Sequence, residues 1–323
     1  MKSRLITVIP VYNGAEFIGQ TLASVAKQTL PPDRVVVLDN GSTDQTEQIV
    51  KDFTAIPVEF IRNERNLGLF GNLNRALDYA PQTEFLQLLH ADDLISPEFY
   101  EVMVPALDGV NGFGLGWCQD ERIDEHNRHL SVSGKADGAI QTLTRDEFLK
   151  AKAELGNQAF CATLLKTAGQ PVPVKFREDF PIMGDTLFWG AFGAHCQKLV
   201  HVRKPLAQYR WHGLNQTNFL GPSIQSLIID EWRTMEANEM LRGCGWSWLR
   251  KMKLKALFAV RSNIKSKRVR QNGNAQYSQE IAETARKTTG WTLWLASRLL
   301  VELRDVYLFR MLGRPRHPKN IYG

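Results

Sequence analysis

The sequence predicts an α/β fold, a mostly parallel central sheet with helices on both faces, followed by a helical extension. Three observations carry this. Strand-like and helix-like patterns alternate through the first hundred residues, as they do in successive βαβ units. Three of the strand-like runs end in polar turns, Tyr12-Asn13-Gly14, Asp39-Asn40-Gly41-Ser42 and His90-Ala91-Asp92-Asp93. Open α/β sheets bind ligands beyond such carboxyl ends. The charge then changes sign along the chain. Residues 241–323 hold 18 Lys/Arg against 4 Asp/Glu, whereas residues 1–240 hold 22 against 30, a segregation that marks a boundary near Leu241 and an anionic partner for the tail.

Taken in order, "RLITVIPVY" is a β-rich run, and "AEFIGQTLASVAKQT" carries Phe17, Ile18, Leu22, Val25 and Ala26 at near-helical spacing. "RVVVLD" is a second strand and "STDQTEQIVKDF" a helix opened by a Ser/Thr/Asp cap. "VEFI", "LFGNLNRALDYA" and "EFLQLLHADD" continue as strand, helix and strand, and Ser96-Pro97-Glu98 starts another helix. Past Gly112 the pattern loosens. "GFGLGWCQDERID" and "KPLAQYRWH" read as strands, "RDEFLKAKAELG" and "GDTLFWGAFGAHC" as helices. After Pro222 the chain is helical almost throughout, with a break at "QNGNAQ".

The bounds are those of an ordinary globular protein. Of 323 residues, 43% are hydrophobic and 23% charged, with a net charge of +6. Cys118, Cys161, Cys196 and Cys244 lie far apart without zinc-ligand spacing, which fits a reduced, cytosolic setting. "MKSRLITVIPVYNG" reads as a first strand rather than a signal peptide. No uncharged apolar run reaches the length of a membrane span, and no nucleic-acid-binding module appears.

The chemistry concentrates at "HADD". Two adjacent carboxylates at the end of a buried strand repel each other, and burying them unpaired is costly. A bound cation reverses that balance; a solvated loop with a nearby helix cap is the plain alternative.

In their order and spacing, "VIPVYNGAEFIGQTLASVAKQT", "VVVLDNGSTDQT", "NLGLFGNLNRALDYA" and "LLHADD" resemble the family-2 glycosyltransferases with the GT-A nucleotide-sugar-binding fold. "GDTLFW" and "YRWHGLNQT" add weaker matches, so the resemblance spans about residues 4–217 and leaves out the helical tail. It implies a GT-A domain over residues 1–218, with a nucleotide-binding half (1–110) and an acceptor and catalytic half (111–218). A basic helical extension follows over 219–323. It further implies Mg²⁺ or Mn²⁺ on Asp93, with the strand end facing solvent, while Asp92 holds the ribose hydroxyls or assists the metal. Pro10, Tyr12, Asp39 and Asn40 would hold base and ribose, and Asn66, Gly68, Asn72 and Arg75 would line the donor pocket. Arg75 would either reach a phosphate or stay a solvated helix residue. Asp185 would be the general base of an inverting transfer, a helix cap being the plainer role, and Trp189 would line the acceptor pocket. His212 and Arg210 would reach the metal or pyrophosphate. Three departures stand out: His90 and Gly184 where relatives carry acidic residues, and Asn40 where many have a second Asp.

The implied function is a metal-dependent transfer from a nucleotide-sugar to a glycan or lipid-linked acceptor in polysaccharide assembly, with the protein either free in the cytoplasm or peripheral on the inner face of the membrane. Two rivals are a sugar nucleotidyltransferase, disfavoured because "VYNGAEFIG" lacks a basic phosphate loop, and a non-catalytic scaffold. In the tail, Trp291, Leu295, Leu299, Leu303 and Val306 form one helical face. That face either packs on the protein or a dimer partner, or lies on an anionic membrane. The sequence leaves the oligomeric state, donor and acceptor open.

Overall fold

The computed structural model describes residues 3–154, 156, 159–212, 224–243 and 247–312, with side chains to residue 304 in the last helix. The chain divides into two compact units, Met1–Asn218 and Phe219–Gly323.

In the first unit, β1 (Ser3–Val11), α1 (Ile18–Ala26), β2 (Arg34–Asp39), α2 (Thr46–Asp52), β3 (Glu59–Arg62), α3 (Gly68–Leu77) and β4 (Thr83–Leu88) alternate as the sequence predicts. β5 (Leu94–Ile95), α4 (Phe99–Leu107), β6 (Gly114–Asp124), β7 (His129–Val132), β8 (Ile140–Thr142), α5 (Arg145–Ala153), β9 (Thr163–Lys166), α6 (Gly184–Gly193) and β10 (Lys198–Trp211) follow. The strands form one sheet in the order β3-β2-β1-β4-β9-β6-β10-β5, with β7 on β6 and β8 on β10.

β1 pairs in parallel with both β2 and β4, Val8 lying opposite Val36 and Leu88. Leu5, Ile6, Val8, Ile9 and Val11 are all at most 4% exposed, so β1 is buried on both faces, as central parallel strands are. The connections leave β1 in opposite directions toward β2 and β4, which makes the crevice between β1 and β4 the topological switch point. The second half of the sheet is mixed. β9 runs antiparallel between β4 and β6, and β6 pairs in parallel with the long β10. β10 then turns two residues, Ala207 and Gln208, against β5 in antiparallel register. That short ladder matters to the site, because it carries the end of β10 to the turn that follows β4.

The second unit contains α7 (Ile224–Leu241), α8 (Trp248–Gln271), α9 (Ala275–Thr289) and α10 (Trp291–Leu312). Gly273, at φ +89°, lies in the expected break, and Gly290, at φ +91°, divides α9 from α10. Its core includes Ile228, Met235, Leu254, Phe258, Ile281 and Ala285. In α10 the buried positions are Trp294, Ser297 and Val301. The predicted face points outward instead: Trp291, Leu295, Leu299 and Leu303 are exposed, and the side chain of Val306 lies outside the described residues. Among those residues no helix is long and apolar enough to cross a membrane.

Candidate active site

The turn after β1 is held against the turn after β2. Asn13 takes φ +51°, which an asparagine tolerates better than most side chains. Its Oδ1 accepts from the Thr43 N–H at 2.8 Å, while its own N–H donates to Ser42 Oγ at 2.8 Å. Gly14 N–H donates to Thr46 Oγ1 at 2.9 Å. A Cβ on Gly14 would lie 2.5 Å from a Val11 methyl, so glycine is required there. These bonds leave Tyr12 projecting, 50% exposed, while Pro10 remains inside β1 opposite Leu38.

Behind the turns lies a network of amides. Asn63 Nδ2 donates to Asn40 Oδ1 and to Asn72 Oδ1, both at 2.9 Å. Asn40 Nδ2 donates to Asn66 Oδ1 at 2.9 Å and to the Gly68 carbonyl at 3.1 Å. Asn72 Nδ2 reaches the Leu38 carbonyl at 3.0 Å. The Arg75 guanidinium donates to Asn63 Oδ1, while the residue itself is exposed. Asp39 is fully buried, its carboxylate accepting from Ser42 N–H at 3.2 Å with Arg62 at 3.5 Å. Asn40 and Asn72, 3% exposed each, therefore shape the wall, and Asn66 and Gly68 form its exposed rim.

The turn after β4 gathers the ionisable groups. His90, Asp92 and Asp93 each offer one ligand atom, and these atoms all lie within 4.8 Å of one another. His90 stacks on Phe160 at 4.5 Å between ring centroids. Its Nε2 is buried without a hydrogen-bond partner, as is Asp93 Oδ2. Asp93 is 1% exposed, contrary to the solvent-facing position expected for it, because the β5–β10 ladder covers the turn. Its Oδ1 accepts from the Arg210 N–H at 2.9 Å. Burial, then the adjacent Asp92 charge, push the Asp93 carboxyl well above the usual range. Asp92 is the partly exposed member, and His212 Nε2 lies 3.0 Å from its Oδ2. Burial opposes the Asp92 charge, but the His212 hydrogen bond and the nearby His90 outweigh it and hold Asp92 low. Burial lowers His90, and the Asp92 and Asp185 charges partly restore it. Two unpartnered buried ligand atoms beside two carboxylates suit a hard divalent cation.

Arg210 is not aimed at a ligand. It is fully buried, its guanidinium donating to the carbonyls of Asp92 (2.8 Å) and Asp124 (3.2 Å) and to the side chains of Asn127 (2.7 Å) and Gln20 (3.1 Å). It also lies 4.6 Å over the Phe17 ring, against which His212 packs at 4.8 Å. Its work is to hold the turn and the end of β10 together.

Asp185 stands in the first turn of α6, accepting from Thr186 N–H at 2.6 Å. Its charge acts on His90 and on Lys152 of α5. Lys152 is 3% exposed and donates to the Gly156 carbonyl at 2.8 Å; burial lowers its ammonium to about 7 against the pull of Asp185. Trp189 is wholly buried among Phe160, Phe176 and Phe188, so it belongs to the core behind His90 rather than to an acceptor wall.

Residues 7–163 match the family model "Glycosyl transferase family 2". The first unit has the sheet and strand-end turns that this family implies. Over these residues the chain carries the sequence pattern of the family-2 glycosyltransferases. An uncharacterized glycosyltransferase of Haemophilus influenzae is 25% identical over 65% of this chain and 66% of its own length. The UDP-Glc:alpha-D-GlcNAc-diphosphoundecaprenol beta-1,3-glucosyltransferase WfgD of Escherichia coli is 34% identical over 29% of this chain and 37% of its own. The matches thus span less than two thirds of these curated relatives. The solved structure of Staphylococcus aureus TarS 1–349 in complex with UDP-GlcNAc shares the fold, with a TM-score of 0.64 at 17% identity over 94% of this chain and 91% of that one. That likeness extends beyond the first unit into the helical one.

The structure accounts for the departures from the family pattern. At Asn40 an amide both donates and accepts, and the network uses both functions. At Gly184 a Cβ would lie 2.6 Å from the Phe70 ring, leaving no room for the acidic neighbour. At His90 an imidazole faces the carboxylates. The turn after β4 lies within the family match, whereas Asp185, Arg210 and His212 lie beyond it. Residues 213–217 of "YRWHGLNQT" are outside the described residues. Sequence reading missed the part of Asn63 and Lys152; a hydrophilic residue at a strand end and a lysine on an apolar helix face were the available signals.

Proposed function

We propose that this chain is an inverting, metal-dependent glycosyltransferase that moves a sugar from a nucleotide-sugar donor to a glycan or lipid-linked acceptor in surface-polysaccharide assembly, on the cytoplasmic side. The observation that carries the reading is the group His90, Asp92 and Asp93 at the switch point of the sheet, with unpartnered ligand atoms on His90 and Asp93. Mn²⁺ or Mg²⁺ held by Asp92 and Asp93, with His90 beside them and His212 on Asp92, would neutralise the donor diphosphate and favour its departure. Tyr12 presents a ring face for the base, and the Asp39 and Asn40 turn with Asn66 and Gly68 bounds the nucleoside. Asp185 accepts the proton of the acceptor hydroxyl as its oxygen bonds the anomeric carbon and the bond to diphosphate breaks. Pro10, Asn72 and Arg75 complete this donor wall.

The names of two similar proteins support the substrate classes: WfgD acts on a diphosphoundecaprenol-linked sugar, and TarS was solved with UDP-GlcNAc. A thermal-shift screen of UDP-, GDP- and dTDP-sugars, with and without Mn²⁺, tests the reading. One nucleotide class should raise the Tm, and only with the metal present. A panel without any shift would argue for a protein that uses this fold without a donor.

A further inference from the structure

The outer side of α10 is apolar and uncovered. Trp294, Ser297 and Val301 face inward, where the Asn263 amide of α8 donates to Ser297 Oγ at 2.7 Å. On the other side Leu295, Leu299 and Leu303 recur every fourth residue, with Leu300 beside them, at 49–62% exposure. Single exposed leucines are ordinary, whereas a contiguous arc of four marks a contact surface. At 100° per residue, Arg298 and Arg304 flank that arc on its two sides, and both are exposed. Trp291 opens the helix at 59% exposure, with the Arg286 guanidinium 4.7 Å over its ring. Glu302, near that edge, is neutralised by Lys267 at 2.8 Å.

We propose that this arc docks the protein onto an anionic phospholipid surface, with the leucines and Trp291 entering the interface and the flanking arginines meeting headgroup phosphates. Charge decides between a lipid surface and a second copy of the chain. Residues 241–323 carry 18 basic against 4 acidic residues, although α10 itself holds Arg298, Arg304 and Arg310 against Glu302 and Asp305, so it is the segment as a whole that disfavours a second, equally basic copy. An anionic bilayer instead attracts that excess and accommodates the apolar arc. None of the donor-site candidates is in α10, so the inference stands apart from the transfer reaction.

Co-sedimentation of the full chain with vesicles of phosphatidylcholine, alone or with phosphatidylglycerol, tests this. At low salt the protein should favour the anionic vesicles by about tenfold or more, and the preference should fade at about 1 M salt, where the Debye length is about 3 Å. Leu299→Asp combined with Leu303→Asp should lower binding by about tenfold, with the Tm unchanged because both side chains are exposed. Should that pair fail to fold, Arg298→Glu with Arg304→Glu replaces it and should weaken binding in the same direction. Indifference of the wild type to anionic vesicles, or full binding by a folded variant, overturns the proposal. A variant that turns a dimer into a monomer in sedimentation without changing vesicle binding shows that a second copy covers the arc.

Discussion

Lys152 and Asp185 stand on separate helices, and the Asp185 charge raises the Lys152 ammonium against the effect of burial. If Asp185 is the general base, Asp185→Asn should leave donor affinity unchanged and lower turnover by about 10²- to 10⁴-fold. Single-turnover kinetics checks this, and near-normal turnover would reduce Asp185 to the helix-start role its Thr186 bond already explains. Lys152 gives a pH prediction. Its ordinary value of 10.5 falls to about 7 in the fold, so between those values the unfolded chain binds the extra proton and stability rises with pH. Denaturant melts of wild type and Lys152→Met should therefore diverge from pH 7 upward, the wild type gaining relative to the variant. Parallel curves would mean that the ammonium is not desolvated.

Among the elements, β10 does most to assemble the site, and it is where reading the sequence had least purchase. β1, β2 and β4 were legible because each is a largely buried run rich in apolar residues beside helices of clear period, and β3 by its place in that alternation. β5, β7, β8 and β9 have only two to four residues each, too few for any period to show, and except for β7 their antiparallel pairings depend on partners far away in the chain. The same distance hid the part of Arg210. "YRWH" suggested ligand contact, but the β5–β10 ladder buries that guanidinium among carbonyl and amide oxygens from the β4 turn, β6, the loop after it and α1. "HADD" was legible as a candidate cation site from two carboxylates alone, whereas the allotment of Asp93 to the interior and Asp92 to a half-buried position was not. Arg210→Lys should destabilise the protein by about 2 kcal/mol or more, since an ammonium cannot span that fork of acceptors. Urea unfolding measures it, and a loss within experimental scatter would show that the fork is dispensable.

At the scale of the molecule, two units divide the labour by charge: an acidic-leaning α/β unit that gathers the donor-site candidates, and a basic helical unit with an exposed leucine arc. The family match covers the turns beside the switch-point crevice, where the proposed donor site lies, and the buried atoms of His90 and Asp93 suit the cation proposed beside it. Calorimetric titration of the donor identified by the thermal-shift screen puts that claim to its most direct test. Wild type and Asp92→Asn are each titrated with Mn²⁺ and with a chelator. The wild type should lose about tenfold or more in affinity when the metal is removed, and Asp92→Asn should bind with that weaker affinity in both conditions. Equal affinity of the wild type with and without metal, or an Asp92→Asn variant that responds to Mn²⁺ as the wild type does, would contradict the assignment.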